Sequence, residues 1–269
     1  MTLTQHLELI RSLVVFGDSL SDTGIVFRAT GGMYPPRSTY FNGRYSNGRV
    51  WVEYLGDRLS VPASQIENFA CGGATSSSGF TNMIPGLLAQ VQTYLQSHSR
   101  LNSNSLFVLW AGGNDYLQGA TNAAIPVGNL TRAIELLAKV GAKKILIGNQ
   151  PDLGQLPATK NTANSARLSE LSRSHNQQLR RSIKQLMQQY PDLKIALFDA
   201  NALYHEAIAT PAAFGFTNVM QAAQSIGTNP DQSLFWDGIH PTTAAHQVLS
   251  DRAFVTLQSD RVIPASQAA

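Results

Sequence analysis

Apolar residues fall in two alternating patterns along this chain. Short, nearly continuous runs at 13–16 (LVVF), 105–110 (SLFVLW), 144–148 (KILIG) and 193–198 (LKIALF) are rich in β-branched and aromatic side chains. Runs of that length, apolar at almost every position, suit strands covered on both faces, as in a parallel sheet between helical layers. A weaker run at 66–70 (IENFA) adds a fifth candidate strand. Between the runs, apolar residues recur at helical spacing. Residues 50–59 and 127–140 show it, and Leu168, Leu171, His175, Leu179, Ile183 and Leu186 step by three or four along one face of a long helix. Pro191 ends that helix, and a last helix is expected from just after Pro241 to about Leu257. The alternation predicts βαβ units with right-handed crossovers, hence an α/β fold on an open, doubly wound, five-stranded parallel sheet.

No internal repeat, low-complexity block or Pro/Ser-rich linker divides the 269 residues, so residues 1–269 read as one domain. With 43% hydrophobic and 14% charged residues the chain can bury a sizeable core, and it lacks the charge of a nucleic-acid-coating protein. The net charge of +3 comes from scattered cations, a weak argument for anionic macromolecular partners. Cys71 is the sole cysteine, so no internal disulfide forms, and no Cys/His cluster has zinc-site spacing. Glu8 and Arg11 interrupt the apolar N-terminus, and no apolar run reaches the length of a membrane span. The expectation is a cytoplasmic protein with no stable membrane insertion, and Thr131 of the Asn-Leu-Thr sequon is read as a helix start.

Open α/β sheets bind ligands beyond the carboxyl ends of their strands, and three candidate strands end in polar clusters. The first runs into Gly17-Asp18-Ser19-Leu20-Ser21-Asp22-Thr23-Gly24. A serine between a buried strand and a turn is exposed at the sheet edge near backbone N–H groups, as a nucleophile requires. Taken alone, Ser and Asp there also describe an ordinary helix cap. The weak strand ends in Asn68-Phe69-Ala70-Cys71-Gly72-Gly73-Ala74-Thr75, and the third in Trp110-Ala111-Gly112-Gly113-Asn114-Asp115. Their glycines permit close backbone approach, or merely tight turns, and the Asn114 amide can donate to the same pocket.

The strongest local signal is Phe235-Trp236-Asp237-Gly238-Ile239-His240-Pro241-Thr242, a carboxylate three residues before an imidazole on a turn anchored by a helix. A serine hydroxyl needs an adjacent base, and the base needs a partner to fix its tautomer. His6, His98, His205 and His246 read as ordinary surface or core imidazoles, and His175 as a packing residue. The α/β-hydrolase elbow, the phosphate loop, the dinucleotide fingerprint and H-E-x-x-H are all missing.

In that order, GDSLSDTG, NFACGGAT, WAGGNDY and DGIHPT resemble the four signature blocks of the GDSL esterases/lipases, the SGNH hydrolases, and GRYSNGR at 43–49 resembles the stretch that follows the first block in some members. The resemblance implies a three-layer α/β/α, flavodoxin-like fold and cleavage of a small-molecule ester, thioester or acetylated sugar without metal or cofactor. It assigns Ser19 as nucleophile, Asp237 and His240 as acid and base, and Ser19, Gly73 and Asn114 as the oxyanion hole, with Gly72 an alternative to Gly73. Ile25 stands where many relatives have Asn. An acyltransferase would use the same residues, whereas a non-catalytic binding module has no need of both a base and its orienting carboxylate. Among Arg28, Arg37, Arg44 and Arg49, on a loop shared with Tyr34, Tyr40, Phe41 and Tyr45, Arg44 is the candidate to contact a polar acyl group. Oligomeric state is not legible.

Overall fold

Strands β1 (Ser12–Gly17), β2 (Ile66–Asn68), β5 (Ser105–Trp110), β6 (Lys144–Gly148) and β7 (Lys194–Phe198) form a five-stranded parallel sheet in the order β2-β1-β5-β6-β7. The computed structural model describes residues 9–267; residues 1–8, which include His6, and residues 268–269 lie outside the described residues. Two small pairs complete the strands: the antiparallel hairpin β3 (Phe80–Thr81) and β4 (Ile84–Pro85), and the parallel β8 (Asn218–Ala222) and β9 (Ser233–Phe235). The helices are α1 (Ile25–Ala29), α2 (Trp51–Arg58), α3 (Leu87–Ser97), α4 (Gly113–Leu117), α5 (Ala124–Lys139), α6 (Ser165–Gln189), α7 (Ala200–Ala209), α8 (Ala223–Ile226) and α9 (Thr243–Ser259).

The chain leaves β1 through α2 to reach β2 on one side. It then crosses back through α3 to β5 and continues through α5 and α6 to β7. Right-handed crossovers running in opposite directions put their helices on opposite faces. Accordingly α2 packs with α9 on one side, and α3, α5 and α6 pack in series on the other. The result is three layers. The reversal occurs at β1, the strand flanked by both β2 and β5, so the switch point of the sheet lies beyond Gly17.

Burial explains the nearly continuous apolar runs: every residue of β5 and β6 is buried. Trp51 of α2 stacks on Phe198 and meets Trp110 edge to face, tying α2 to β5 and β7 beneath the carboxyl ends. Both indole N–H groups are satisfied, Trp51 by Ser21 Oγ at 3.0 Å and Trp110 by the Asn149 carbonyl at 2.9 Å. Side chains of this size each contribute roughly 1.5–3 kcal/mol on burial.

The element boundaries differ from the sequence reading in small ways. Strand β2 stops at Asn68, whose Oδ1 takes the Ala70 N–H and whose Nδ2 reaches the Ser21 carbonyl. Helix α5 begins at Ala124 rather than 127, with Asn122 Oδ1 accepting the Ala124 N–H and Pro126 in the first turn, where a missing N–H is tolerated. Thr131 is therefore mid-helix, not a helix start; its hydroxyl donates to the Val127 carbonyl. Helix α9 starts after the cap Thr242, whose Oγ1 accepts the Ala245 N–H. Among the described residues no helix is long and apolar enough to cross a membrane.

Candidate active site

Beyond Gly17 the chain turns sharply. A Cβ at Gly17 would lie 2.5 Å from the Trp110 carbonyl oxygen, so only glycine lets β1 and β5 run side by side to their ends. Gln90 of α3 holds that end from the other face, accepting the Gly17 N–H and donating to its carbonyl, each at 2.9 Å. Ser19 follows, 8% exposed, on a turn closed by the Ser21 N–H to the Asp18 carbonyl.

Three side chains from two distant segments meet there. Ser19 Oγ lies 2.8 Å from His240 Nε2, and His240 Nδ1 lies 2.7 Å from Asp237 Oδ2. Asp237 accepts four hydrogen bonds: the N–H groups of Ile239 and His240 on Oδ1, and the His240 ring and the Tyr40 hydroxyl on Oδ2. Burial pushes its carboxyl up, but the bond from His240, its positive charge, the Ile239 N–H and Tyr40 together outweigh burial and bring Asp237 down to about 2. The group is thus an anion, and an anion at Oδ2 fixes the ring proton on Nδ1. Nε2 is left as the acceptor for the Ser19 hydroxyl. The three-residue spacing of Asp237 and His240 now has a physical cause, since the carboxylate closes the turn through the backbone as well as orienting the ring.

Loop 42–49 locks this turn in place. Ser46 Oγ donates to the Pro241 carbonyl, Asn47 Oδ1 accepts the Thr243 N–H, and a Cβ on Gly48 would lie 2.6 Å from Thr243. Tyr45, also on this loop, packs its ring 5.3 Å from that of His240 and covers Gly72 so closely that a Cβ there would lie 2.1 Å from Tyr45. The role of these tyrosines was missed in the sequence, where the arginines drew attention. Arg44 itself makes no recorded contact with the triad. Its Nε and Nη2 bind Glu53 at 3.2 and 2.7 Å and its Nη1 donates to the Asn42 carbonyl, which anchors the loop to α2.

Asp22 stitches the first and second clusters together. Its Oδ1 accepts the Gly24 and Ile25 N–H groups, and its Oδ2 accepts the Gly72 N–H at 2.8 Å. With Gly72 so engaged, the choice between the two glycines has a geometric basis. Gly73, at φ +83°, has an N–H without a recorded partner among the described residues, as does the Ser19 N–H. Asn114, in the first turn of α4, holds one Nδ2 hydrogen on the Ala74 carbonyl at 2.9 Å and keeps the other. Its neighbour Asp115 takes the Ser76 N–H and hydroxyl, fixing the third cluster to the second.

Among the described residues, His175 and His246 make no hydrogen bond to Ser19, Asp237 or His240. His175 is fully buried with Tyr116 Oη at 2.8 Å, and burial lowers it to about 4. His246 is buried against α2, where its Nδ1 accepts the Trp51 N–H. Among the described residues no three His, Cys, Asp or Glu side chains are grouped to hold a metal ion.

A family model described as GDSL-like Lipase/Acylhydrolase matches residues 13–253. Among curated proteins the chain is similar to the phosphatidylcholine-sterol acyltransferase of Aeromonas hydrophila, 30% identical over 92% of this chain and 90% of that protein. It is similar also to the thermolabile hemolysin of Vibrio parahaemolyticus, 28% identical over 90% of this chain and 63% of that longer protein. A solved lipolytic G-D-S-L family protein from Veillonella parvula superposes with a TM-score of 0.52 at 19% identity, covering 91% of this chain and 97% of that one. A likeness at that identity speaks for the fold alone.

Proposed function

Because the chain belongs to the GDSL-like lipase/acylhydrolase family, we propose that it cleaves carboxylic esters through an acyl-enzyme on Ser19. One observation carries the reading: the unbroken line from Ser19 Oγ through His240 to the Asp237 carboxylate, with links of 2.8 and 2.7 Å. Ser19 Oγ attacks the ester carbonyl as its proton passes to His240 Nε2, and Asp237 stabilises the imidazolium that forms. The Ser19 and Gly73 N–H groups and the spare Asn114 amide hydrogen receive the oxyanion. As the carbon–oxygen bond to the alcohol breaks, His240 returns the proton to the leaving oxygen. Water then enters, gives its proton to His240 and releases the acid, restoring the serine.

The same acyl-enzyme could be resolved by an alcohol instead of water. The similarity to a phosphatidylcholine-sterol acyltransferase over nine-tenths of both chains favours keeping acyl transfer as the second reading. Thioester and acetylated-sugar cleavage would use the same residues. For Arg44 we propose a tethering role rather than contact with substrate, because Glu53 and the Asn42 carbonyl already occupy its guanidinium. A panel of p-nitrophenyl esters of increasing acyl length, with and without an alcohol acceptor, tests these readings. Free acid as sole product in both conditions supports the hydrolase; an acceptor ester supports transfer; no turnover of any ester overturns both.

A further inference from the structure

Two loops border the Gly72–Gly73 turn, and both carry apolar side chains into solvent. One is the segment after α1: its Tyr34 packs on Tyr45, the ring that covers Gly72, and it exposes Met33, Tyr34 and Phe41. The other is the β3–β4 hairpin. Its Ile84 approaches Gly73, where a Cβ would lie 3.1 Å from Ile84 Cδ1, while Phe80 and Met83 are 70% and 92% exposed.

The hairpin tip is unusual in its chemistry. Thr81 pairs with Ile84 across a two-residue turn in which Asn82 and Met83 both have positive φ, 50° and 67°. Such a turn takes Asn at the first position and strongly prefers glycine at the second. Here a long apolar side chain occupies a left-handed position that L-residues of its kind avoid, and it is almost wholly in water. Folding gains nothing from that arrangement.

Charge on the two loops is one-sided. No carboxylate occurs between Asp22 and Glu53, and no charged residue at all between Glu67 and Arg100. Of the four arginines from α1 to the start of α2, Arg44 and Arg49 are paired with Glu53 and Asp57, whereas Arg28 of α1 and Arg37 of the loop are exposed and make no ion pair among the described residues. Arg37 lies over the Phe27 ring, 4.8 Å from its centroid. Apolar tips with unpaired cations and no acids complement an interface of acyl chains beneath anionic headgroups.

We propose that the 33–41 loop and the β3–β4 hairpin dock the protein on an anionic phospholipid surface, with Met83 and Phe80 entering the acyl layer and Arg28 and Arg37 meeting headgroup phosphates. The docked surface then delivers an ester to the site beside the Gly72–Gly73 turn that both loops border. The inference rests on the ester-cleaving reading of that site, but docking and chemistry separate experimentally.

Vesicle co-sedimentation measures docking, in a Ser19→Ala background so that no lipid is consumed, on phosphatidylcholine with and without phosphatidylglycerol. Binding is expected to rise with phosphatidylglycerol. Met83→Gly, which relieves the turn while deleting the apolar tip, lowers the partition coefficient about tenfold. Arg37→Gln lowers it about fivefold on anionic vesicles and leaves neutral ones unaffected. In the Ser19 background, Met83→Gly keeps native turnover of a soluble p-nitrophenyl ester, which shows that the variant is folded. No binding by the parent, or equal binding by parent and Met83→Gly, overturns the docking surface. Loss of soluble-ester turnover by the native protein would instead overturn the catalytic reading.

Discussion

The hydroxyl of Tyr40 donates a 2.7 Å hydrogen bond to the same Asp237 oxygen that accepts the His240 ring N–H. Burial first, and then this bond to a carboxylate, hold the Tyr40 phenol protonated well above its usual range, so it acts as a fixed donor at any working pH. Tyr40 thereby competes with the imidazolium for the carboxylate's charge while pinning the carboxylate in place.

A loss of rate should follow in Tyr40→Phe. Loss of a donor to a charged acceptor is worth roughly 1.5–3 kcal/mol of positioning, so kcat falls about tenfold or more. Steady-state kinetics and thermal unfolding of Tyr40→Phe on one preparation check this, and an unchanged kcat would remove Tyr40 from the site.

Asn114→Ala removes the only side-chain donor assigned to the oxyanion. Turnover of a p-nitrophenyl ester is expected to fall about 100–1000-fold. The loss of the bond to Ala74 should lower stability by only about 1 kcal/mol. Steady-state kinetics and thermal unfolding on the same preparation separate the two effects, and unchanged turnover would remove Asn114 from the site.

Gly72→Ala should disable the enzyme by geometry. A Cβ there meets Tyr45 at 2.1 Å, and the displaced ring is the one packed 5.3 Å from the His240 ring. Gly79, six residues short of Pro85, has open space around its Cβ and serves as the control. Native-like kinetics for Gly79→Ala and a large loss of kcat for Gly72→Ala are expected.

Asp18 gives a pH signature in stability. Burial, opposed by the Leu20 N–H and the charge of His240, pushes its carboxyl up to about 7. Because the folded-state value lies above the unfolded one, the favourable contribution is complete below about pH 4 and is lost as pH rises towards 7, at roughly 1.4 kcal/mol per pH unit. Asp18→Asn abolishes that loss. Unfolding by urea should show the variant gaining on the native protein between about pH 4 and pH 7 and holding a constant margin above. A pH-independent difference would contradict the assignment.

Much of the sheet was legible because strands buried on both faces must be apolar throughout, as residues 105–110 and 144–148 are. The polar clusters at the ends of β1, β2 and β5 were legible as clusters, and the fold brings Ser19, Asp237 and His240 within hydrogen-bonding distance. What sequence could not supply is contact between segments with no local pattern. Tyr40 and Asp237 lie 197 residues apart, and a tyrosine in a loop looks the same whether it holds a carboxylate or faces water. Arg44 attracted notice because a charge is conspicuous, yet its partner Glu53 is nine residues away on the next helix. The hairpin around Asn82 escaped because methionine stands where a glycine would mark the turn.

The central claim is that the Ser19 hydroxyl is the group made nucleophilic by His240. A fluorophosphonate probe, followed by peptide mass spectrometry, tests it most directly. The account predicts a single phosphonylated residue, Ser19, with labelling abolished in Ser19→Ala and greatly slowed in His240→Ala. Modification of another serine, or labelling of Ser19 at an undiminished rate without His240, would contradict it.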